Sequence, residues 1–148
     1  MINLETSNLL EKEIKELVIP ADNVAHVQLG NSLEHALLVL IKSGYSAVPV
    51  LDTSYKIQGL ISNTMIMDSI LGIERIEYEK LSEHKVEEVM NTKIPRMKNS
   101  DTFFRALELS INHPFVCIED EAGVFVGILT RRSILALVYR YFRGVLGK

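Results

Sequence analysis

Ala47-Val48-Pro49-Val50-Leu51-Asp52, followed after a short turn by Gly59-Leu60-Ile61-Ser62, returns later in the chain as Phe115-Val116-Cys117-Ile118-Glu119-Asp120 and Gly127-Ile128-Leu129-Thr130. Both pairs of segments, and the pair Asn31-Ser32 and Asn99-Ser100, share one offset of 68. Self-similarity at a fixed spacing means two copies of one supersecondary unit, so this repeat decides the fold.

Working outward, the stripes Leu33/Ala36/Leu37/Leu40/Ile41 and Phe103/Ala106/Leu107/Ser110/Ile111 match at an offset of 70, a two-residue slip that belongs in a loop. Each is an i, i+3, i+4, i+7, i+8 pattern, one apolar face of an amphipathic helix. Ser32, and Ser100 or Asp101, are the expected N-caps. Short runs at Ala47 to Leu51 and Phe115 to Ile118 read as strands, each followed by a turn and a second apolar run. Closing helices are expected over Ser62 to Leu71 and Thr130 to Phe142. Each half therefore reads strand, helix, strand, turn, strand, helix.

The fold class is α/β: two small sheet-plus-helices halves related by a pseudo-two-fold. Halves of this size are marginal alone, so they are expected to pack sheet against sheet. The expected division is an N-terminal helix over 1–17 carrying Leu10, Ile14 and Leu17, a first motif over 18–71, a linker over 72–85, and a second motif over 86–148.

The length of 148 residues suits this plan, and 47% hydrophobic with 24% charged residues is globular composition. The longest wholly apolar stretch, Ala36 to Ile41, is far short of the roughly 20 residues a bilayer span needs. The first residues, Met1-Ile2-Asn3-Leu4-Glu5-Thr6, lack the basic and apolar regions of a signal peptide, and the single Cys117 has no internal disulfide partner. A cytoplasmic location is expected. A net charge of −3 gives no overall attraction to nucleic acid or to an anionic membrane, so a phosphate site needs a local basic cluster.

That cluster is Arg131-Arg132. A strand running through Thr130 into a helix gathers backbone N–H groups and the positive end of the helix dipole, and guanidinium matches phosphate oxygens in bidentate geometry. The other half has Ser62-Asn63-Thr64 at this point, hydrogen-bonding groups without charge. At the head of the first central strand, Tyr45-Ser46-Ala47 offers an aromatic face and a small residue, which suits a nucleobase. Asn23, Val24 and Ala25 are read as entering the facing strand.

Bland readings stand beside these. Adjacent arginines at a helix start also describe a solvated face, Tyr45 also suits a core edge, and Ala25 and Ala47 also suit simple packing. The histidines at 26, 35, 84 and 113 show no metal-ligand spacing, and mid-strand Cys117 reads as a buried small hydrophobe. The charged stretch from Glu74 to Glu88 reads as a solvated linker or a docking surface. No nucleophile with a poised base and no phosphate-binding GxxxxGK[ST] loop are present, so no catalytic residue, cofactor or metal is expected.

Val86-Glu87-Glu88-Val89-Met90, Gly44-Tyr45-Ser46-Ala47-Val48-Pro49-Val50 and Gly127-Ile128-Leu129-Thr130-Arg131-Arg132 resemble CBS motifs, whose tandem pairs, called Bateman modules, bind adenosine compounds. Asp22-Asn23-Val24-Ala25-His26-Val27-Gln28, the run from Asn31 to Leu40, and Gly72-Ile73-Glu74-Arg75-Ile76-Glu77 are similar to the stand-alone CbpB/DarB group. The resemblance implies a cyclic di-AMP receptor with ligand contacts at Asn23, Ala25, Tyr45, Ala47, Arg131 and Arg132, and with Ser46 and Thr130 beside them. Lysine is the family expectation at position 23, so Asn23 implies one charged contact fewer.

CBS motifs that bind AMP commonly carry an aspartate three residues after the hydroxyl. Met65 and Ser133 stand there, which speaks against an AMP, ADP or ATP sensor, the alternative reading. The resemblance further implies a homodimer, with Met65/Ile66/Ile70 and Leu135/Val138/Phe142 as candidate contact faces. It also implies a regulatory partner of the Rel-type (p)ppGpp synthetase/hydrolase class, engaged in the nucleotide-free state and so tied to the stringent response.

Overall fold

The computed structural model describes residues 15–146, which divide into two compact units. One holds the first repeat, residues 25–94 together with 123–125. The other holds the second repeat, residues 95–122 and 126–146, together with 15–24.

In the first-repeat unit β2 (Val27–Gln28) runs parallel to β3 (Ala47–Leu51), pairing Val27 with Val50, and β3 is antiparallel to β4 (Ile57–Ser62), pairing Ala47 with Ser62. Helix α1 (Leu33–Ser43) forms where the stripe predicts it. The Ser32 hydroxyl accepts the His35 N–H at 3.1 Å, and Gly44 ends the helix at φ 78°, a left-handed conformation that glycine adopts without steric cost. Leu33, Ala36 and Leu40 pack with Val48, Val50 and Ile61, and with Ile66 of helix α2 (Asn63–Ile70).

The stretch expected as a solvated linker is folded onto this unit. Leu71 and Ile76 form an antiparallel bridge, Leu81 of the short helix α3 (Lys80–Glu83) packs against the core, and Val86 is fully buried. Asn91 then exchanges both backbone hydrogen bonds with Leu60, each at 2.9 Å. Gly59 permits that approach: a Cβ there would lie 2.8 Å from the Asn91 carbonyl oxygen.

The second-repeat unit is a four-stranded sheet in the order β1 (Ile19–Pro20), β7 (Phe125–Thr130), β6 (Phe115–Glu119), β5 (Arg96–Lys98), with helices α4 (Phe103–Ser110) and α5 (Arg131–Leu146). Phe103, Ala106, Val116, Ile118, Leu129, Ile134 and Leu137 form its core. β1 lies antiparallel along β7, pairing Ile19 with Ile128 and Pro20 with Gly127. Gly127, 68 residues after Gly59, lets the Ile19 carbonyl close on the strand; any Cβ would overlap it. The two anchor glycines thus have one physical reason: each lets an entering segment lie against the outer strand of its sheet.

Several expectations are corrected in detail. Neither Ser100 nor Asp101 caps α4. Thr102 does, accepting the Arg105 N–H at 3.3 Å, while Asp101 accepts the Lys98 N–H at 2.9 Å in the preceding turn. The last residue of each helical stripe faces outward, Ile41 at 63% and Ile111 at 71% exposure. Ile66 and Ile70 are core residues, which removes them from any contact with a second copy. Of the expected N-terminal helix, Leu10 and Ile14 lie outside the described residues; Lys15 and Glu16 are helical, and Leu17 packs against the second-repeat core. No helix among the described residues is long and apolar enough to cross a membrane.

Candidate functional site

Both repeats pass from strand to helix through the same local construction. At the start of α5 the Thr130 hydroxyl accepts the Ser133 N–H at 3.1 Å and donates to the Ser133 hydroxyl at 2.9 Å, while the Arg131 N–H donates to the Pro114 carbonyl at 2.9 Å. At the start of α2 the Ser62 hydroxyl accepts the Met65 N–H at 3.1 Å, and the Asn63 N–H donates to the Ser46 carbonyl, also at 3.1 Å. The amides of Arg131 and Ser133, expected from the sequence to be open to an anion, are therefore engaged within the fold. The positive charge at this point comes from the two guanidinium groups.

Those groups are held differently. Arg131 is half-buried, and its Nε donates to the Ser110 carbonyl at 2.7 Å. Ser110 ends α4, where carbonyls lack helical partners, so this tie satisfies one of them and fixes one edge of the guanidinium. Arg132 is exposed. Both arginines sit in the first turn of a helix, the end where the dipole is positive and a cation costs roughly 0.3–1 kcal/mol. A plain solvated surface would favour acidic residues here; an anion lying against the arginines reverses the sign of the interaction.

Asn23, in the same unit, is exposed at the end of a 3-10 turn (Ala21–Asn23), not within a strand as expected. The first-repeat unit holds the other candidates. Ala25 is half-buried against the core two residues before β2, and Ala47 opens β3 opposite Ser62. Tyr45 follows the left-handed Gly44 and is 37% exposed. Ser46 is exposed, and its carbonyl is the acceptor that seats α2.

A cavity of about 420 Å³ lies elsewhere in the second-repeat unit, lined by Val18, Pro20, Met97, Ile118, Val126 and Leu129 among others, and none of the candidate residues lines it. Cys117 is fully buried, and burial pushes its thiol up to about 12, far from a reactive thiolate. Ser110 and Ser133, which hold Arg131 and Thr130, escaped the sequence reading as site residues. Ser110 acts through its backbone carbonyl, which no residue type in the sequence signals.

The CBS domain model matches residues 14–72 and 86–140. The chain is 52% identical over 145 residues to the cyclic di-AMP receptor B of Bacillus subtilis (strain 168), covering 98% of this chain and 99% of that one. Among solved structures, the CbpB protein of Listeria monocytogenes in complex with c-di-AMP is 53% identical, with a TM-score of 0.82 over 88% of this chain and 98% of that one. A CBS domain-containing protein of unknown function from Bacillus anthracis is 61% identical, with a TM-score of 0.81 over 86% of this chain and 92% of that one. With both copies of its repeat matched by one model, and with strand-to-helix turns built alike in each, this chain belongs to the CBS-domain family.

Proposed function

We propose that this chain is a receptor for cyclic di-AMP that binds the dinucleotide through its CBS pair, performs no catalysis, and regulates partner proteins according to occupancy. The observation that carries this reading is the pair of arginines in the first turn of α5, placed against the helix dipole and left with guanidinium nitrogens for an anion. Near full-length similarity to a protein named for cyclic di-AMP supports the identity of that anion. Phosphate contacts fall to Arg131 and Arg132, the base to Tyr45, Ser46 and Ala47, and the remaining polar and backbone contacts to Asn23, Ala25 and Thr130.

Regulation requires that the ligand favour one of two states, because a ligand that binds both equally shifts nothing. The proposed partner is a Rel-type (p)ppGpp synthetase/hydrolase engaged in the nucleotide-free state, acting in the cytoplasm. An AMP, ADP or ATP sensor is the second reading, favoured by the nucleotide habit of CBS pairs and opposed by Ser133 and Met65 where an aspartate would hold a ribose.

Calorimetric titration with cyclic di-AMP, and in parallel with AMP, ATP and cyclic di-GMP, tests the proposal. Tight binding of cyclic di-AMP alone is expected. Heat from AMP or ATP without heat from cyclic di-AMP would move the assignment to the energy sensor, and turnover of any of the four would end the non-enzymatic reading.

A further inference from the structure

The turns that join the last two strands of each repeat share a carboxylate contact and a left-handed fourth position, which different residues fill. In Asp52 to Lys56 the Asp52 carboxylate accepts the Ser54 N–H at 2.8 Å, and in Asp120 to Val124 the Asp120 carboxylate accepts the Ala122 N–H at 2.9 Å. The fourth position of each turn is left-handed. There Gly123 has φ 86°, whereas Tyr55, its equivalent at the offset of 68, has φ 64°. Among the described residues Tyr55 is the only non-glycine with positive φ. Such a backbone is strained for a residue that carries a side chain, and the sister turn shows that glycine makes the same turn without that cost.

The turn itself therefore gives no reason for a tyrosine, and the ring does. Its centroid lies 5.3 Å from that of His26 at an interplanar angle of 73°, an edge-to-face contact, and 6.3 Å from that of Phe125. His26 directly follows Ala25 and precedes β2, whose ladder with β3 begins only at Val27. The Tyr55 ring braces the Ala25–His26 segment from the side, just ahead of that ladder.

We infer that Tyr55 is a positioning residue for the nucleotide site: it accepts backbone strain so that its ring fixes His26, and through it the backbone at Ala25 that the ligand reads. This rests on the receptor reading above. An edge-to-face aromatic pair and a left-handed backbone of this kind are of similar size, so the ring and the strain nearly offset each other in stability while the ring adds order to the segment.

The test is cyclic di-AMP titration and thermal melting of the wild type, Tyr55→Gly and Tyr55→Phe, together with the imidazole resonances of His26. Tyr55→Gly is expected to melt near the wild type, to bind cyclic di-AMP about tenfold more weakly, and to shift the His26 resonances. Tyr55→Phe keeps the ring and is expected to match the wild type in all three. Wild-type affinity in Tyr55→Gly would overturn the inference, as would a glycine variant whose affinity falls only in step with a large loss of melting temperature. If the wild type itself binds no cyclic di-AMP, the receptor reading fails first and the positioning role falls with it.

Discussion

Arg132 is exposed in the first turn of α5, and Arg131 beside it is tied to Ser110, so under the proposed receptor function the two arginines separate ligand binding from stability. Replacing Arg132 with alanine removes a cation from the positive end of the dipole. Its melting temperature is therefore expected to hold or rise slightly, while cyclic di-AMP affinity falls at least about tenfold for the loss of a charge-assisted contact. Replacing Arg131 with alanine also strands the Ser110 carbonyl, so about 1–3 kcal/mol of stability is expected to go with the affinity, read by urea denaturation. Equal stability of the two variants would deny Arg131 its structural tie. Gly127 gives a contrast without charge: Gly127→Ala presses a methyl group into the Ile19 carbonyl and is expected to cost about 1–3 kcal/mol by forcing β1 off β7.

At the scale of elements, α1, α2, α4 and α5 were legible because amphipathic spacing and hydroxyl caps act locally. What escaped depended on side chains choosing among nearby partners. Asp101 was as good a cap in sequence as Thr102, and only the fold commits its carboxylate to the Lys98 N–H. Asn23 was placed in a strand because extended and 3-10 residues look alike over three positions. The segment after α2 was read as solvated from its charges, yet the Glu77 N–H donates to the Ile70 carbonyl and Leu81 packs on the core, while the charges pair with one another inside the segment. Arg75 donates to Glu79, at 3.1 Å through one Nη and by a shorter contact through the other, and Lys80 pairs with Glu77 at 3.4 Å. The hydrogen bond from Arg75 draws the Glu79 carboxyl down to about 2. A depressed carboxyl contributes above its unfolded value of about 4.3 and loses its contribution as pH falls toward the folded value. The pair is exposed, so its share is small: amide exchange from Gly72 to Glu79 is expected to quicken slightly between about pH 4 and 2, beyond the intrinsic pH dependence of exchange. Glu79→Gln is expected to show that faster exchange already at pH 7.

At the scale of the whole molecule, the charge is divided by sign between two elements that also carry bare apolar side chains. Asp68 to Glu83 holds five carboxylates against two cations, a balance equal to the net charge of −3, so the rest of the chain is neutral in sum. Leu71, Ile73 and Tyr78 are exposed among those carboxylates. α5 carries four arginines and no acidic residue, and Leu135, Tyr139 and Phe142 stand exposed at helical spacing along it. The acidic apolar segment of one copy complements the basic apolar helix of another in both respects, and a second copy is the occupant proposed for these faces. The arginines of the proposed site begin the same helix, so under that proposal a bound dianion would lower its positive charge and weaken this attraction. Sedimentation of the wild type is expected to give a dimer whose dissociation constant rises with salt, as contacts between exposed opposite charges require. Leu135→Asp with Phe142→Asp places acid where the acidic face would dock and is expected to give a monomer that retains its fold by circular dichroism, since both side chains lie outside the core. A double variant that still sediments as a dimer would place the contact on another face, and a salt-independent dimer would remove the charges from the argument.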